Sequence, residues 1–166
     1  FGQKDQELLE ILASHAATAM SNLDHAENLE TYAREMRESQ EKFKRLFMDN
    51  PEAAVYVDSD FHIVDANPRF SELFGYSAGE IKGKRLLALI VPEDKKEEAE
   101  MLDKEAEKAY TYHDTVRKRK DGTLVPVSVS AAPITVEDQP IGYVGLYKDI
   151  TERKRLEERL SALNFY

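Results

Sequence analysis

From Leu9 to Phe47, apolar residues recur at alternating spacings of three and four. Leu9, Leu12, Ala16, Ala19, Leu23 and Ala26 form one series. The pattern then skips, and resumes as Leu29, Ala33, Met36, Gln40, Phe43 and Phe47. Residues 3 to 48 contain no Gly or Pro and are rich in Ala, Leu, Glu and Arg. The spacing predicts one long helix, or two nearly continuous ones. Such a sustained stripe has the form of a coiled-coil seam, with the skip marking a local change of winding. A lone helix would leave that stripe in water, so a partner is expected, most simply a second copy of the chain.

Asn50-Pro51 breaks the helix. Ala53 to Val57 reads as a strand, Asp58 to Asp60 as a turn, and Phe61 to Ala66 as a second strand, together a hairpin. A dense run of caps comes next. Asn67 is an N-cap, Pro68 sets the first helical turn, and Phe70, Leu73 and Phe74 share one face. Gly75 ends that helix in the left-handed region. Ser77 with Glu80 reads as a capping box for a very short second helix, ended by Gly83. Leu86 to Val91 reads as a turn of helix, and Pro92-Glu93-Asp94 opens another that runs to about Lys108. Its apolar positions, Ala99, Met101, Leu102, Ala106 and Ala109, predict a surface helix with a thin buried stripe.

Three strands complete the pattern: Tyr110 to Lys120, Thr123 to Ile134 and Pro140 to Ile150. Asp121-Gly122 joins the first two, and Glu137 to Gln139 turns into the third. Val125, Val127, Val129 and Ala131 share one face; Leu124, Pro126, Ser128 and Ser130 share the other. Both faces therefore need cover, one from the small helices and one from Phe43 and Phe47 or a second subunit. Thr151 is an N-cap for a last helix, whose Leu156, Leu160 and Leu163 repeat the seam spacing.

Composition narrows the chemistry. The 166 residues suffice for one domain with appendages, and the start at Phe1 and the stop in mid-pattern after Leu163 suggest a piece of a longer protein. The absence of cysteine excludes disulfides and thiolate chemistry and suits a cytoplasmic setting. No apolar run approaches the ~20 residues that span a bilayer, so no direct membrane contact is expected. A net charge of −9 disfavours nucleic acid. The basic cluster Arg117 to Lys120 reads as a solvated strand end. His15 lies on the long helix, but Ala16 and Ala17 follow it, without the acidic residue and nearby proline that accompany a phosphoaccepting histidine of sensor kinases. His62 and His113 read as ordinary strand residues. No catalytic constellation, phosphate loop or metal-ligand pattern is present, so no enzymatic activity is expected of this fragment.

NPEAAVYVDSDFHIVDANPRFSELFGYSAGEIKGK and RKRKDGTLVPVSVSAAPITVEDQPIGYVGLYKDITERK resemble the two halves of a PAS sensor domain. The Asn-Pro before the first helix, the Gly-Tyr-Ser turn, the Lys-Asp-Gly hairpin and the terminal Asp-Ile-Thr stand in the family's order and spacing. The resemblance implies an α+β fold with a five-stranded antiparallel sheet over residues 43–151, preceded by a linker helix over 1–42 and followed by a signalling helix over 152–166. DQELLEILASHAATAMSNLDHAENLE also resembles the last helix of a GAF domain. The two resemblances together imply a relay module of a multidomain receptor, most simply a sensor histidine kinase. Such a module would dimerise through its flanking helices and signal to the parent's effector domain. In the family an Asp-x-Thr pair holds the outgoing junction, a role that falls here on Asp149, Ile150 and Thr151. Alternatives are a small-molecule sensor, or a dimerisation module of a transcription regulator or cyclic-dinucleotide enzyme. A ligand between sheet and helices would be lined by Val55, Val57, Ile63, Phe70, Phe74, Ile90, Met101, Val129 and Leu146. No specific cofactor is implied: the flavin-binding cysteine and the haem-ligating histidine of family members have no counterpart, which leaves room only for an unidentified small molecule.

Overall fold

The computed structural model describes residues 2–163, which divide into two compact units between Lys44 and Arg45. The first unit is a single helix. It is the body of α1, Gln3–Met48, and its Leu9, Leu12, Leu23, Leu29 and Met36 are all exposed. The absence of Gly, Pro and any strong cap over this span lets the helix propagate without a stop.

The second unit contains the last turn of α1 and all other elements. β1 (Ala53–Asp58) and β2 (Ile63–Ala66) form the first hairpin. Four short helices follow: α2 (Pro68–Phe74), α3 (Ala78–Ile81), α4 (Leu86–Ile90) and, after a 3-10 turn at Glu93–Lys95, α5 (Lys96–Ala106). β3 (Thr111–Lys118), β4 (Leu124–Val136) and β5 (Gln139–Asp149) complete the sheet, and α6 (Thr151–Leu163) leaves it. The sheet is antiparallel with order β2-β1-β5-β4-β3, so β3 is an edge and β5 lies at the centre.

The turns follow their chemistry. Gly75 and Gly122 take positive φ of 82° and 87°. Glu137 and Asp138, both at positive φ, make the two-residue turn whose twist matches a β-hairpin. The predicted second strand starts two residues late. Phe61 adopts φ 62° to stack its ring on Tyr143, with centroids 4.6 Å apart, and His62 bridges only to Arg85. Ser77 does not cap α3 through its side chain: the hydroxyl instead donates to Glu80 Oε2 at 3.1 Å.

Alternation along the strands puts Val55, Val57, Val125, Val127, Val129, Tyr143 and Tyr147 on the face beneath the short helices. Phe70 and Phe74 of α2 meet Tyr147 edge-on, and Ile81, Leu86 and Ile90 close the layer. On the opposite face Ala54 and Ser128 are buried. Phe47, in the last turn of α1, is also buried, whereas Phe43 belongs to the first unit and is exposed. Gly142 is required where β5 crosses β1: a Cβ there would sit 2.4 Å from the carbonyl oxygen of Val57.

Candidate functional site

Asn67 does more than cap a helix. Its Oδ1 accepts from Phe70 N at 3.0 Å, as a cap should, and also from Ala54 N at 2.8 Å. Its Nδ2 donates to the carbonyls of Phe47 at 3.1 Å and Glu52 at 2.9 Å. One fully buried side chain thus joins the end of α1, the start of β1 and the start of α2.

Of the nine residues expected to line a ligand, Val55, Val57, Ile63, Phe70, Phe74, Ile90 and Val129 are all in the buried core. Met101 is not: it is 62% exposed. The 3-10 turn sets the phase of α5 so that Ala99, Leu102, Asp103 and Ala106 face inward and Met101 faces out. Leu146 is also misplaced, because it alternates with the core-facing Tyr147 and lies on the other face of the sheet. Only Val129 of the nine borders the internal cavity, of about 40 Å³, which lies between α5 and the sheet.

That cavity has a polar wall. Arg117, Asp103, His113 and Thr111 line it together with Tyr143 and Tyr147. Arg117 is only 2% exposed, which corrects the reading of Arg117 to Lys120 as a solvated strand end. The signal was present in the strand period: a register fixed by Asp121-Gly122 sets Arg117 opposite Val125, facing in. Its neighbours Arg119 and Lys120 brace α2 and α3. Arg119 Nε donates to Leu73 O at 3.0 Å, Lys120 N donates to Phe74 O at 2.8 Å, and Lys120 Nζ reaches Glu80 at 2.7 Å. Between α5 and β3, Glu98 accepts from Thr115 Oγ1 and lies 3.6 Å from Arg117 Nη1. Glu105 Oε2 lies 3.0 Å from the Nε2 of His113. Burial opposes ionisation of Glu98, but Thr115, Lys95 and Arg117 together hold its carboxyl below the usual range.

Burial pushes the carboxyl of Asp103 up to about 7, against the pull of Arg85 and Arg117 and with added repulsion from Glu107 and Glu100. Tyr147, also buried, is pushed up to about 12. The sign for Asp103 is that of an acid raised by folding. The folded chain holds the proton more tightly than the unfolded one between pH ~4 and ~7, so this contribution is full at low pH and is lost as pH rises through 7. The expected result is a melting temperature that falls between pH 5 and pH 8 in the unmodified chain and stays nearly level in Asp103→Asn. Calorimetry across that range checks it, and a parallel slope in both proteins would show that Asp103 titrates as if exposed.

The outgoing junction is built on Asp149. Its Oδ1 accepts from Thr151 N at 2.8 Å and from Thr151 Oγ1 at 2.5 Å. The Thr151 hydroxyl is therefore turned to Asp149, and Asp149 does the capping expected of Thr151. Ile150 between them is buried, and its N–H donates to Pro126 O at 3.0 Å. Arg119 Nη2 stands 3.8 Å from Asp149 Oδ2, and Arg153 of α6 pairs with Asp114 of β3.

Among the described residues, Asp58, Asp60 and His62 bring three ligand-type atoms within 4.8 Å of one another. The Oδ1 of Asp58 is engaged by the backbone N–H groups of Asp60 and His62, each at 2.9 Å. No helix among the described residues is long and apolar enough to cross a membrane.

A family model described as PAS domain matches residues 51–152, from the break after α1 to the first turn of α6. The chain belongs to the PAS domain family. It is 29% identical over 161 residues to sporulation kinase E of Bacillus subtilis, matching 90% of this chain and 19% of that protein. It is 29% identical over 125 residues to the sensor protein TdiS of Thauera aromatica, matching 72% and 22%. The chain thus spans about a fifth of the length of these relatives. Among solved structures, a PAS domain from Colwellia psychrerythraea superposes with a TM-score of 0.62 at 25% identity, covering 68% of this chain and 98% of that one. The PAS domain of an HTR-like protein from Haloarcula marismortui gives 0.59 at 20% identity, covering 73% and 99%. This PAS domain is thereby similar to segments of sensor and kinase proteins.

Proposed function

We propose that this chain is a sensory relay module of a larger sensor histidine kinase, set in the cytoplasm and passing a conformational signal from an incoming to an outgoing helix in a dimer. Residues 1–42 would be the linker from a GAF-like domain, 43–151 the PAS domain and 152–166 the signalling segment, of which 164–166 lie outside the described residues. The exposed stripe of α1 and the exposed Leu156, Leu160 and Leu163 of α6 are the seams on which two copies would pair.

The observation that carries this reading is the junction at Asp149. A carboxylate at the end of the central strand caps α6, and the same group sits beside Arg119, which also holds the end of α2. A change in the helical layer therefore has a short bonded path to the outgoing helix. Loss of a helix cap costs ~1–2 kcal/mol, so Asp149→Ala is expected to speed hydrogen exchange at the α6 amides by roughly 5–30-fold. In the parent kinase it is expected to shift autophosphorylation, as is Thr151→Val. Unchanged output from both variants would remove the relay role. A second reading, a small-molecule sensor, is favoured by the charged cavity wall at Arg117.

A further inference from the structure

The two apolar series of α1 share one row of positions. Leu12, Ala19, Ala26, Ala33, Gln40 and Phe47 follow one another at seven-residue intervals without a break. Only the neighbouring row changes at the skip, from Leu9, Ala16 and Leu23 to Leu29 and Met36. Gln40 therefore lies in the seam whichever winding the skip imposes. It is the one polar side chain in its row, and it is exposed, as are Leu12, Leu29 and Met36 of the same stripe.

A polar residue in a coiled-coil core lowers stability, and its best-attested use is to select one register and one orientation. A glutamine amide carries both donors and acceptors, so two of them face to face can satisfy each other. In a parallel pair without offset, each Gln40 meets the Gln40 of the other helix. A slip of seven residues sets Gln40 against Ala33, and antiparallel pairing sets it against the row of Leu29 and Met36. Either arrangement buries the amide without a partner. The flanking positions agree with the parallel arrangement. There His25 comes beside Glu30 of the other helix, and Tyr32 beside Arg37, an imidazole–carboxylate pair and a ring–cation pair with no like charges opposed.

We infer that Gln40 is the specificity-determining residue of an interface between two copies of this chain, holding their α1 helices parallel and in register through an amide–amide contact. The self-complementary layer is what selects a second copy as the occupant of the stripe. A helix of another protein would need a polar group at the same height, whereas a second copy supplies it by symmetry. The inference rests on the dimer of the proposed relay and states which dimer it is.

The chain contains no cysteine, so single cysteine substitutions report the pairing directly. The test is oxidation of the whole chain carrying Leu29→Cys or Met36→Cys, each alone and the two mixed, read by mass spectrometry without reductant. Glu38→Cys, on the far side of the helix, is the control. The expected result is self-linkage at both seam positions and none at the control. The mixed disulfide between positions 29 and 36 should be absent, because in register they stand about 10 Å apart along the helix, too far to bridge. Gln40→Leu should release the register, so that the mixed disulfide appears at a level comparable with the self-linked products. Gln40→Asn should keep the original pattern. A mixed disulfide at that level with Gln40 in place shows slipped helices and overturns the register. Self-linkage at only one seam position shows antiparallel helices and overturns the orientation. A pattern that Gln40→Leu leaves untouched overturns the role of Gln40. Linkage nowhere, or equal at the control, overturns pairing through α1. Asp149→Ala should not alter the pattern, so failure of the relay and failure of the pairing are read from different experiments.

Discussion

Replacing Asn67 with alanine is expected to destabilise the domain by roughly 3–5 kcal/mol, a large share of the ~5–15 kcal/mol that holds a typical domain folded. The side chain is itself fully buried; it accepts two hydrogen bonds and donates to the carbonyls of Phe47, Glu52 and, at 3.5 Å, Asn50. Phe70 N retains a weaker contact to the Asn67 carbonyl, at 3.1 Å. Ala54 N has no such reserve, and a buried N–H left without a partner costs ~1–3 kcal/mol by itself. Asn67→Asp should not rescue it. Aspartate keeps both accepted bonds but turns an oxygen toward the carbonyls of Phe47 and Glu52. Urea unfolding of the three proteins checks the order, with both variants well below the parent. A cost under ~1 kcal/mol for Asn67→Ala would mean that water enters the joint and replaces the amide.

Phe70→Ala is expected to cost about as much by a different mechanism. Phe70 is fully buried, with its ring 4.8 Å from that of Phe74 and 6.1 Å from that of Tyr147. Removing a buried phenylalanine ring typically costs ~3–5 kcal/mol, part of it for the void left behind. At ~4 °C per kcal/mol the melting temperature should fall by ~12–20 °C. Phe70→Leu should recover most of the loss. Because an apolar void stays dry and can take up benzene, benzene should raise the melting temperature of Phe70→Ala and leave the parent unchanged. A drop of only a few degrees would show that α2 collapses onto the sheet and refills the space.

These two residues also show which parts of the molecule the chain makes plain. Asn67-Pro68, the three-four spacing of Phe70 and Phe74 and the position of Gly75 identify α2 without any tertiary knowledge, because capping and helix-face geometry act within a few residues. The long-range bonds of Asn67 to Phe47, Glu52 and Ala54 are of another kind. They depend on where the chain returns in space, and nothing in the local pattern separates such an asparagine from a plain cap. Met101 is misplaced by its sequence pattern because α5 has few apolar residues, so several faces fit its stripe equally and only the preceding 3-10 turn selects one. Arg117 is misplaced when charge is weighed above period. In a run of four basic residues the strand alternation still turns one of them inward, and there it meets Thr115, Glu98 and the cavity.

β3 has a consequence for how movement could cross the sheet. His113, Thr115 and Arg117 point inward, where Glu105 and Glu98 of α5 hold them; Asp114, one peptide bond from two of these, points outward and holds Arg153 of α6. Helices on opposite faces are thus geared to the same strand through adjacent residues. That strand is the sheet's margin, hydrogen-bonded to β4 on one side only, so it can tilt without tearing the central ladder. Under the proposed relay, a pull on α5 would be delivered to α6 across a lever one peptide plane thick, with β1 and β5 as its mounting.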